Sequence, residues 1–224
     1  MNTDVLYQPS YALARVTLGG GEQIRAEGGA MVSMDDGVTV ETAATGGFMK
    51  SIRRAIGGES FFQNTFSAGP NGGEVTLAPQ LTGDIMVMPL NGELIVQSGS
   101  YLASELAIEV STKWGGAKSF FGGEGLFMLR CAGQGTLIVS SYGAIHTVAL
   151  EAGRRYTVDT GHIVAFDGHM TYDVRKVGSW KATILSGEGF VADFEGPGVI
   201  HLQSRSPEAF LSWLVPKLPR DNDR

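Results

Sequence analysis

The sequence has one cysteine, no long apolar run and little positive charge. Cys131 stands alone among 224 residues, so the chain cannot form an intrachain disulfide or a cysteine-rich metal site. No stretch approaches the roughly 20 apolar residues that a membrane-spanning helix needs. Residues 1–16 show neither the basic region nor the apolar region of a secretory signal. These absences predict a soluble, cytoplasmic chain, with attachment to a membrane surface left open.

Positive charge is outnumbered along the whole chain. There are 17 Lys and Arg residues against 23 Asp and Glu, which gives a formal net charge of −6. Binding along a nucleic-acid backbone needs clustered Lys and Arg, because each contact neutralises a phosphate. The acidic balance therefore argues against nucleic acid as a partner.

The motifs of common enzyme classes are also missing. The sequence has no Gly-x-Ser-x-Gly elbow, no Gly-x-x-x-x-Gly-Lys loop and no Gly-x-Gly-x-x-Gly between a strand and a helix. His162 and His169 lie on either side of an Asp-Gly turn, but a metal site needs three or four ligands. We therefore predict a protein that is not an enzyme and that holds no metal and no other cofactor.

Glycine is abundant, with 32 residues against 8 prolines, and it marks a threefold repeat. A Gly-Glu-small-apolar-apolar motif recurs around Glu59, Glu124 and Glu188, at intervals of 65 and 64 residues. Upstream of each motif a glycine leads into an apolar run, at 29–34, 99–104 and 161–166. Short strands between glycine turns predict an all-β single domain over 1–205, a sandwich or prism of three internal repeats. We place these repeats at about 21–90, 91–153 and 154–205.

A short helix is predicted after the last repeat. Ser206 suits an N-cap, Pro207 suits the first helical position, and Pro216 stops the helix. We place this helix within 206–218, followed by a polar tail at 219–224. One face of the helix is apolar and is a candidate assembly surface, formed by Phe210, Leu211, Trp213 and Leu214.

A cationic amphipathic segment lies in the first repeat at 48–56. Its apolar residues recur at helical spacing with basic residues between them, a pattern that attracts an anionic membrane surface or an acidic protein partner. The alternative is that the apolar side chains cap the core while the Lys and Arg stems form its solvated rim. The candidate residues are Phe48, Met49, Lys50, Ile52, Arg53, Arg54 and Ile56.

The three repeated glutamates form a second candidate site. If the repeats surround a pseudo-threefold axis, Glu59, Glu124 and Glu188 occupy equivalent places and form a ring that binds a cation or another ligand. The alternative is that each carboxylate accepts backbone N–H bonds within its own glycine turn.

Three features together carry a family resemblance. They are the Gly-Glu repeats, the Gly-Gly-Phe-Met-Lys-Ser-Ile-Arg-Arg segment at 46–54 and the Ser-Pro-Glu-Ala-Phe ending at 206–210. Across nearly the whole chain the sequence resembles the altered inheritance of mitochondria protein twenty-four family. The resemblance implies a β fold similar to the trp RNA-binding attenuation protein, repeated within one chain, and no established enzymatic activity. Its mitochondrial members are linked to inner-membrane organisation, a role that is not transferred to this chain.

These observations favour a non-catalytic binding or scaffold protein. We predict a homo-oligomer that self-associates through exposed strand edges or through the C-terminal helix, and that meets a membrane through 48–56. Two alternatives stay open. One is RNA binding, which rests on the fold resemblance alone, and the other is binding of a small molecule or metal in a pocket between repeats.

Overall fold

The computed structural model describes residues 1–42, 63–111, 127–176 and 190–219. Strands make up most of these residues, and one short helix lies near the C-terminus. The strands belong to several sheets that do not close into a barrel. The predicted all-β class with a C-terminal helix is therefore confirmed.

Six of the described strands form the first repeat. A preceding strand, β1 (Asn2–Leu6), pairs with the first of them along its whole length. The six strands are β2 (Leu13–Leu18), β3 (Gln23–Glu27), β4 (Met31–Met34), β5 (Val38–Thr42), β6 (Gln63–Ala68) and β7 (Gly73–Leu77).

The second repeat contains two long strands, and each of them takes the place of two shorter strands in the other repeats. They pair in antiparallel fashion over 13 residues, with Gly92 opposite Gly133 at the middle. Both glycines have positive φ, and a Cβ at Gly133 would lie 2.4 Å from the Ala107 carbonyl oxygen, so only glycine fits there. The strands are β8 (Ile85–Gln97), β9 (Tyr101–Ser104), β10 (Ile108–Ser111) and β11 (Met128–Ser140).

The third repeat again has six separate strands in its described part, and the helix follows it. The strands are β12 (Ile145–Leu150), β13 (Arg155–Asp159), β14 (Ile163–Asp167), β15 (Thr171–Lys176), β16 (Phe190–Glu195) and β17 (Gly198–Gln203). Helix α1 (Pro207–Leu214) begins after Ser206, whose hydroxyl accepts a hydrogen bond from the Ala209 N–H, and Pro207 takes the first helical position as predicted.

One pairing scheme organises all three repeats. We call the six strand positions a to f in chain order, so that β8 supplies both a and b, and β11 both e and f. Strands a and c pair with f, while b and d pair with e, which makes two small sheets per repeat. Repeats 2 and 3 use the same pairs. The shared scheme confirms a threefold repeat over β2–β7, β8–β11 and β12–β17, and each of these units begins one strand before the predicted starts at about 21, 91 and 154.

Each repeat encloses an apolar core between its two sheets. In repeat 1 the buried residues alternate along the strands, with Ala14, Val16 and Leu18 on β2 facing Ile24 and Ala26 on β3. The cores do not stop at repeat boundaries, because side chains of the next repeat enter them. The three core clusters thus each include side chains of a neighbouring repeat, which packs the repeats against one another.

Candidate functional site

Two of the predicted sites lie outside the described residues. Glu59, Glu124 and Glu188 all fall there, and so does the whole cationic segment at 48–56. The carboxylate ring and the membrane or partner surface therefore stay predictions. In the described part of the chain, no helix is both long and apolar enough to cross a membrane.

The candidate assembly helix is described, and it projects into solvent. Leu211 and Trp213 are more than half exposed, and none of the residues of α1 is buried. Its main described aromatic contact with the β domain is an edge-on packing of Phe210 against Tyr142, with ring centroids 6.1 Å apart. This accessible helix carries all four residues of the predicted assembly surface, which are Phe210, Leu211, Trp213 and Leu214. Their role in assembly stays a prediction.

The two histidines near the Asp-Gly turn have separate hydrogen-bond partners. His162 Nδ1 lies 2.7 Å from the Gln203 carbonyl oxygen, and His169 Nε2 lies 3.2 Å from that of Pro197. Across residues 1–42, 63–111, 127–176 and 190–219, no group of three or more His, Cys, Asp or Glu side chains could hold a metal ion. Each of these two rings thus lies beside a backbone carbonyl group of its own.

Neighbouring repeats are joined by one kind of strand pair. Strand c of repeat 2, β9, pairs with strand b of repeat 1, β3, and places Ala103 opposite Ala26. Strand c of repeat 3, β14, pairs with the b part of β8 and places Ala165 opposite Val96. Both pairs are antiparallel. The chain therefore uses the same c-to-b junction twice.

The register is the same at both junctions. Within each repeat, strand c has a bulge against strand f, so that Met31, Tyr101 and Ile163 occupy equivalent places. Two residues further along, Ser33, Ala103 and Ala165 are therefore equivalent. Because Ala103 and Ala165 are the residues that face strand b, the second junction repeats the first residue for residue.

Burial differs sharply between the three c strands. Every residue of β9 is buried, as are the first four residues of β14. All four residues of β4 are exposed, with Met31 at 42%, Val32 at 57% and Met34 at 40%. Among the described strands β4 pairs only with β7, so its other edge is uncovered.

The matching b strand at the other end of the molecule is uncovered too. Strand β13 pairs only with β16 among the described strands. Beside it lies an open groove of about 540 Å³, whose lining includes Arg155, Thr157 and Asp193. Thr157 Oγ1 donates to Asp193 Oδ1 at 2.6 Å, and hydrogen bonds from Arg175 and Thr157 hold the pKa of Asp193 below its usual value.

A smaller cleft of about 170 Å³ lies where strand ends of the three repeats meet. Gln203 is satisfied there, since its amide donates to the Gly161 carbonyl at 2.8 Å and accepts from the Tyr142 N–H at 2.9 Å. Gln97 accepts from Ser100, but within the described residues its Nε2 has no partner. Burial raises the pKa of Glu27 to about 7, because its carboxylate loses water without gaining a cation.

Sequence reasoning identified the c strands but not their environments. The glycine-led runs at 29–34, 99–104 and 161–166 are the three c strands, and nothing in their composition separates the exposed one from the buried two. Glu27 was missed for a related reason. A lone glutamate at a strand end gives no signal until the fold places neighbouring repeats around it.

The fold and its strand edges define a β protein of three repeats that are joined edge to edge, and among the described strands β4 and β13 lack the c-to-b partner that the internal junctions supply. The model of the family described as Mitochondrial biogenesis AIM24 matches residues 3–205. The chain belongs to this family, as its repeats and its ending predicted.

Two streptococcal proteins illustrate the similarity. Uncharacterized protein M6_Spy0233 of Streptococcus pyogenes serotype M6 is 30% identical over 223 residues, which cover 95% of this chain and 89% of that protein. Protein SPYM3_0169 of Streptococcus pyogenes, known from an X-ray crystal structure, is 28% identical. Its TM-score to this chain is 0.81, over 97% of this chain and 99% of its own.

Proposed function

We propose that this protein is a non-catalytic scaffold that self-associates through the uncovered edge of β4. The observation that supports the proposal is the contrast in burial between equivalent strands, since β9 and β14 are covered by a neighbouring repeat while β4 is not. The strand at this position is buried in two repeats, and in the third repeat it carries side chains of the same apolar kind although it is exposed.

The physical cost of leaving this edge open supports the same proposal. An uncovered edge exposes unpaired backbone N–H and C=O groups, and natural proteins usually protect such an edge with charge or proline. The sequence of β4, Met-Val-Ser-Met, contains neither. Fully burying one such apolar side chain is worth about 1.5–3 kcal/mol, so another chain that covers β4 would gain a substantial free energy.

The test is sedimentation velocity of the wild type and of two matched lysine variants. Val32→Lys places a charge in β4, and Val40→Lys places one on β5, an edge strand of the same repeat where Val40 is 42% exposed. We expect the wild type and Val40→Lys to assemble. Val32→Lys should sediment as a single chain of 23.7 kDa, because a buried lysine loses its hydration.

Two results would contradict the proposal. One is a wild type that sediments as a single chain at tens of micromolar, and the other is a Val32→Lys variant that assembles as well as Val40→Lys. The other predicted activities rest on different residues. Liposome sedimentation tests the membrane surface at 48–56, and salt-sensitive binding at low ionic strength tests RNA.

A further inference from the structure

We infer that β4 of one copy pairs with β13 of a second copy, in the register that the chain already uses at its two internal junctions. This inference rests on the proposed self-association and names its partner as another copy of the same chain. Among the described strands, each copy has one c strand, β4, and one b strand, β13, that no other repeat covers. The two free edges are therefore the two halves of one junction.

The register follows from the internal junctions. At these, Ala103 lies opposite Ala26 and Ala165 opposite Val96. The residue equivalent to Ala103 and Ala165 in repeat 1 is Ser33. The residue equivalent to Ala26 and Val96 in repeat 3 is Val158, because each lies one position before the end of its b strand. Ser33 of one copy therefore faces Val158 of the next.

The neighbouring pair follows by the same rule. Arg25 lies opposite Ser104 at the first junction, and Ile95 lies opposite Phe166 at the second. Their equivalents at the free edges are Thr157 and Met34. Ile95 and Phe166 are both completely buried and belong to the same apolar cluster. Thr157 lines the open groove beside β13, so Met34 of the next copy enters this groove at the place that Phe166 occupies within the chain.

The polar lining of the groove is compatible with such a junction. At the first internal junction the side of β3 that faces repeat 2 is also polar, since it carries Arg25. Tyr101 is nevertheless fully buried there, and its hydroxyl lies 3.4 Å from the Arg25 carbonyl oxygen. Met31 occupies the place of Tyr101 in β4, and the flexible side chains of Met31 and Met34 can adapt to an irregular groove.

The resulting interface is heterologous, because it joins two different edges. Each copy contributes β4 once and β13 once, so the assembly closes into a ring or extends as a filament. A twofold pairing of β4 with β4 is the alternative use of the same edge. It would leave β13 uncovered and would create a c-to-c pair that the described chain does not contain.

Disulfide trapping distinguishes the two arrangements. Met34→Cys and Thr157→Cys are made as separate variants, distinguished by a mass tag, mixed and oxidised. Directly opposed antiparallel residues have Cα atoms about 4.5–5.5 Å apart, which a disulfide can span. The native Cys131 is completely buried, and its pKa is raised to about 12, so its thiol stays unreactive.

We expect one cross-linked species, which joins one Met34→Cys chain to one Thr157→Cys chain. The matched control replaces Thr157→Cys with Thr171→Cys, an exposed threonine on β15 at the opposite edge of the same small sheet. This control should lose at least about nine-tenths of the cross-linked product, because its thiol lies two strands away from the paired edge. Each single variant is first shown to assemble as the wild type does.

Each remaining outcome is decisive. Cross-linking of Met34→Cys to itself would establish the twofold pairing and overturn the head-to-tail junction, while self-association through β4 would stand. Assembly without either cross-link would overturn the junction and direct attention to α1. A wild type that sediments as a single chain would remove the proposed function and this inference together.

Discussion

Strands β4 and β9 occupy the same position in successive repeats, yet one is exposed and the other completely buried. Their sequences, Met-Val-Ser-Met and Tyr-Leu-Ala-Ser, are similarly apolar. The difference lies in whether a strand of another repeat pairs with the outer edge of each strand. Repeat 1 offers β3 to cover β9, whereas among the described strands β4 pairs with β7 alone. Burial of this position is therefore a property of the neighbouring repeat and not of the strand.

The b strands show the complementary difference. Ile95 on β8 is apolar and is buried by repeat 3, whereas the equivalent Thr157 on β13 is polar and lines an open groove. A polar surface keeps this edge soluble when nothing covers it. The two ends of the chain are thus unequal, since β4 is apolar and β13 polar. This asymmetry suits a junction that forms between folded chains.

The largest expected effect comes from truncating equivalent leucine and valine side chains on the two c strands. Leu102→Ala should lower the free energy of unfolding by about 2–5 kcal/mol, because Leu102 is completely buried in the core shared by repeats 1 and 2. Val32→Ala, at the equivalent place on β4, should change it by less than about 0.5 kcal/mol. Denaturant unfolding of the single chain, under dilute conditions, measures both.

Similar losses of unfolding free energy in Leu102→Ala and Val32→Ala would contradict the contrast between β9 and β4. They would mean that β4 is covered within a single chain, or that Leu102 is not part of a shared core. Val40→Ala, a truncation on the exposed edge strand β5, provides the baseline for an uncovered valine.

An intermediate effect is expected at the last residue of strand b. Repeat 1 has Glu27 there and repeat 2 has the neutral Gln97, so Glu27→Gln makes repeat 1 resemble repeat 2. The pKa of Glu27 is raised from 4.5 to about 7, so the folded state binds its proton more tightly than the unfolded state. Stability is therefore lost as pH rises from about 4.5 through 7.

The glutamine variant removes this loss. Glu27→Gln should match the wild type near pH 4.5 and exceed it by up to about 3 kcal/mol at pH 8, as a shift of this size implies. Unfolding curves at the two pH values measure the difference. The control is Glu109→Gln, which removes one negative charge at an exposed position on β10. Equal curves for the two variants would show that Glu27 is well solvated.

The smallest effect concerns ion pairs between strands b and e. In repeat 2, Arg130 Nη2 lies 2.7 Å from Glu93 Oε2, and both side chains are about one-third exposed. In repeat 3, Arg155 Nε lies 3.3 Å from Glu195 Oε2, and the Arg155 side chain is 81% exposed. Because solvent screens the second pair more, Glu93→Gln should cost about 1 kcal/mol and Glu195→Gln less than about 0.3 kcal/mol.

A high salt concentration tests whether the cost of removing each ion pair is electrostatic. The same unfolding experiment in 1 M NaCl should reduce the cost of both substitutions, since the screening length falls to about 3 Å. A larger cost for Glu195→Gln than for Glu93→Gln would contradict the difference in environment between the two ends of the chain.

Local features of the fold could be predicted because they depend on neighbouring residues. Ser206 and Pro207 determine where α1 begins, since the cap and the fixed proline φ act within one turn. The glycine turns and apolar runs identified the three repeats for the same reason. The continuous strands β8 and β11 were not predicted, because glycine is typical of turns and only the partner strand shows that each chain stays extended through Gly92 and Gly133.

The sequence by itself determined the β class, the threefold repeat and the capped helix, because periodicity and backbone preference act over short distances. The tertiary structure decided which edges are covered, that Glu27 is desolvated and that Gln97 lies in a cleft between repeats. These properties depend on residues about 70 or more positions apart that the junctions bring together. An edge is free or paired according to its neighbour in space, and the residues of β4 do not indicate this, because they are as apolar as those of the buried β9.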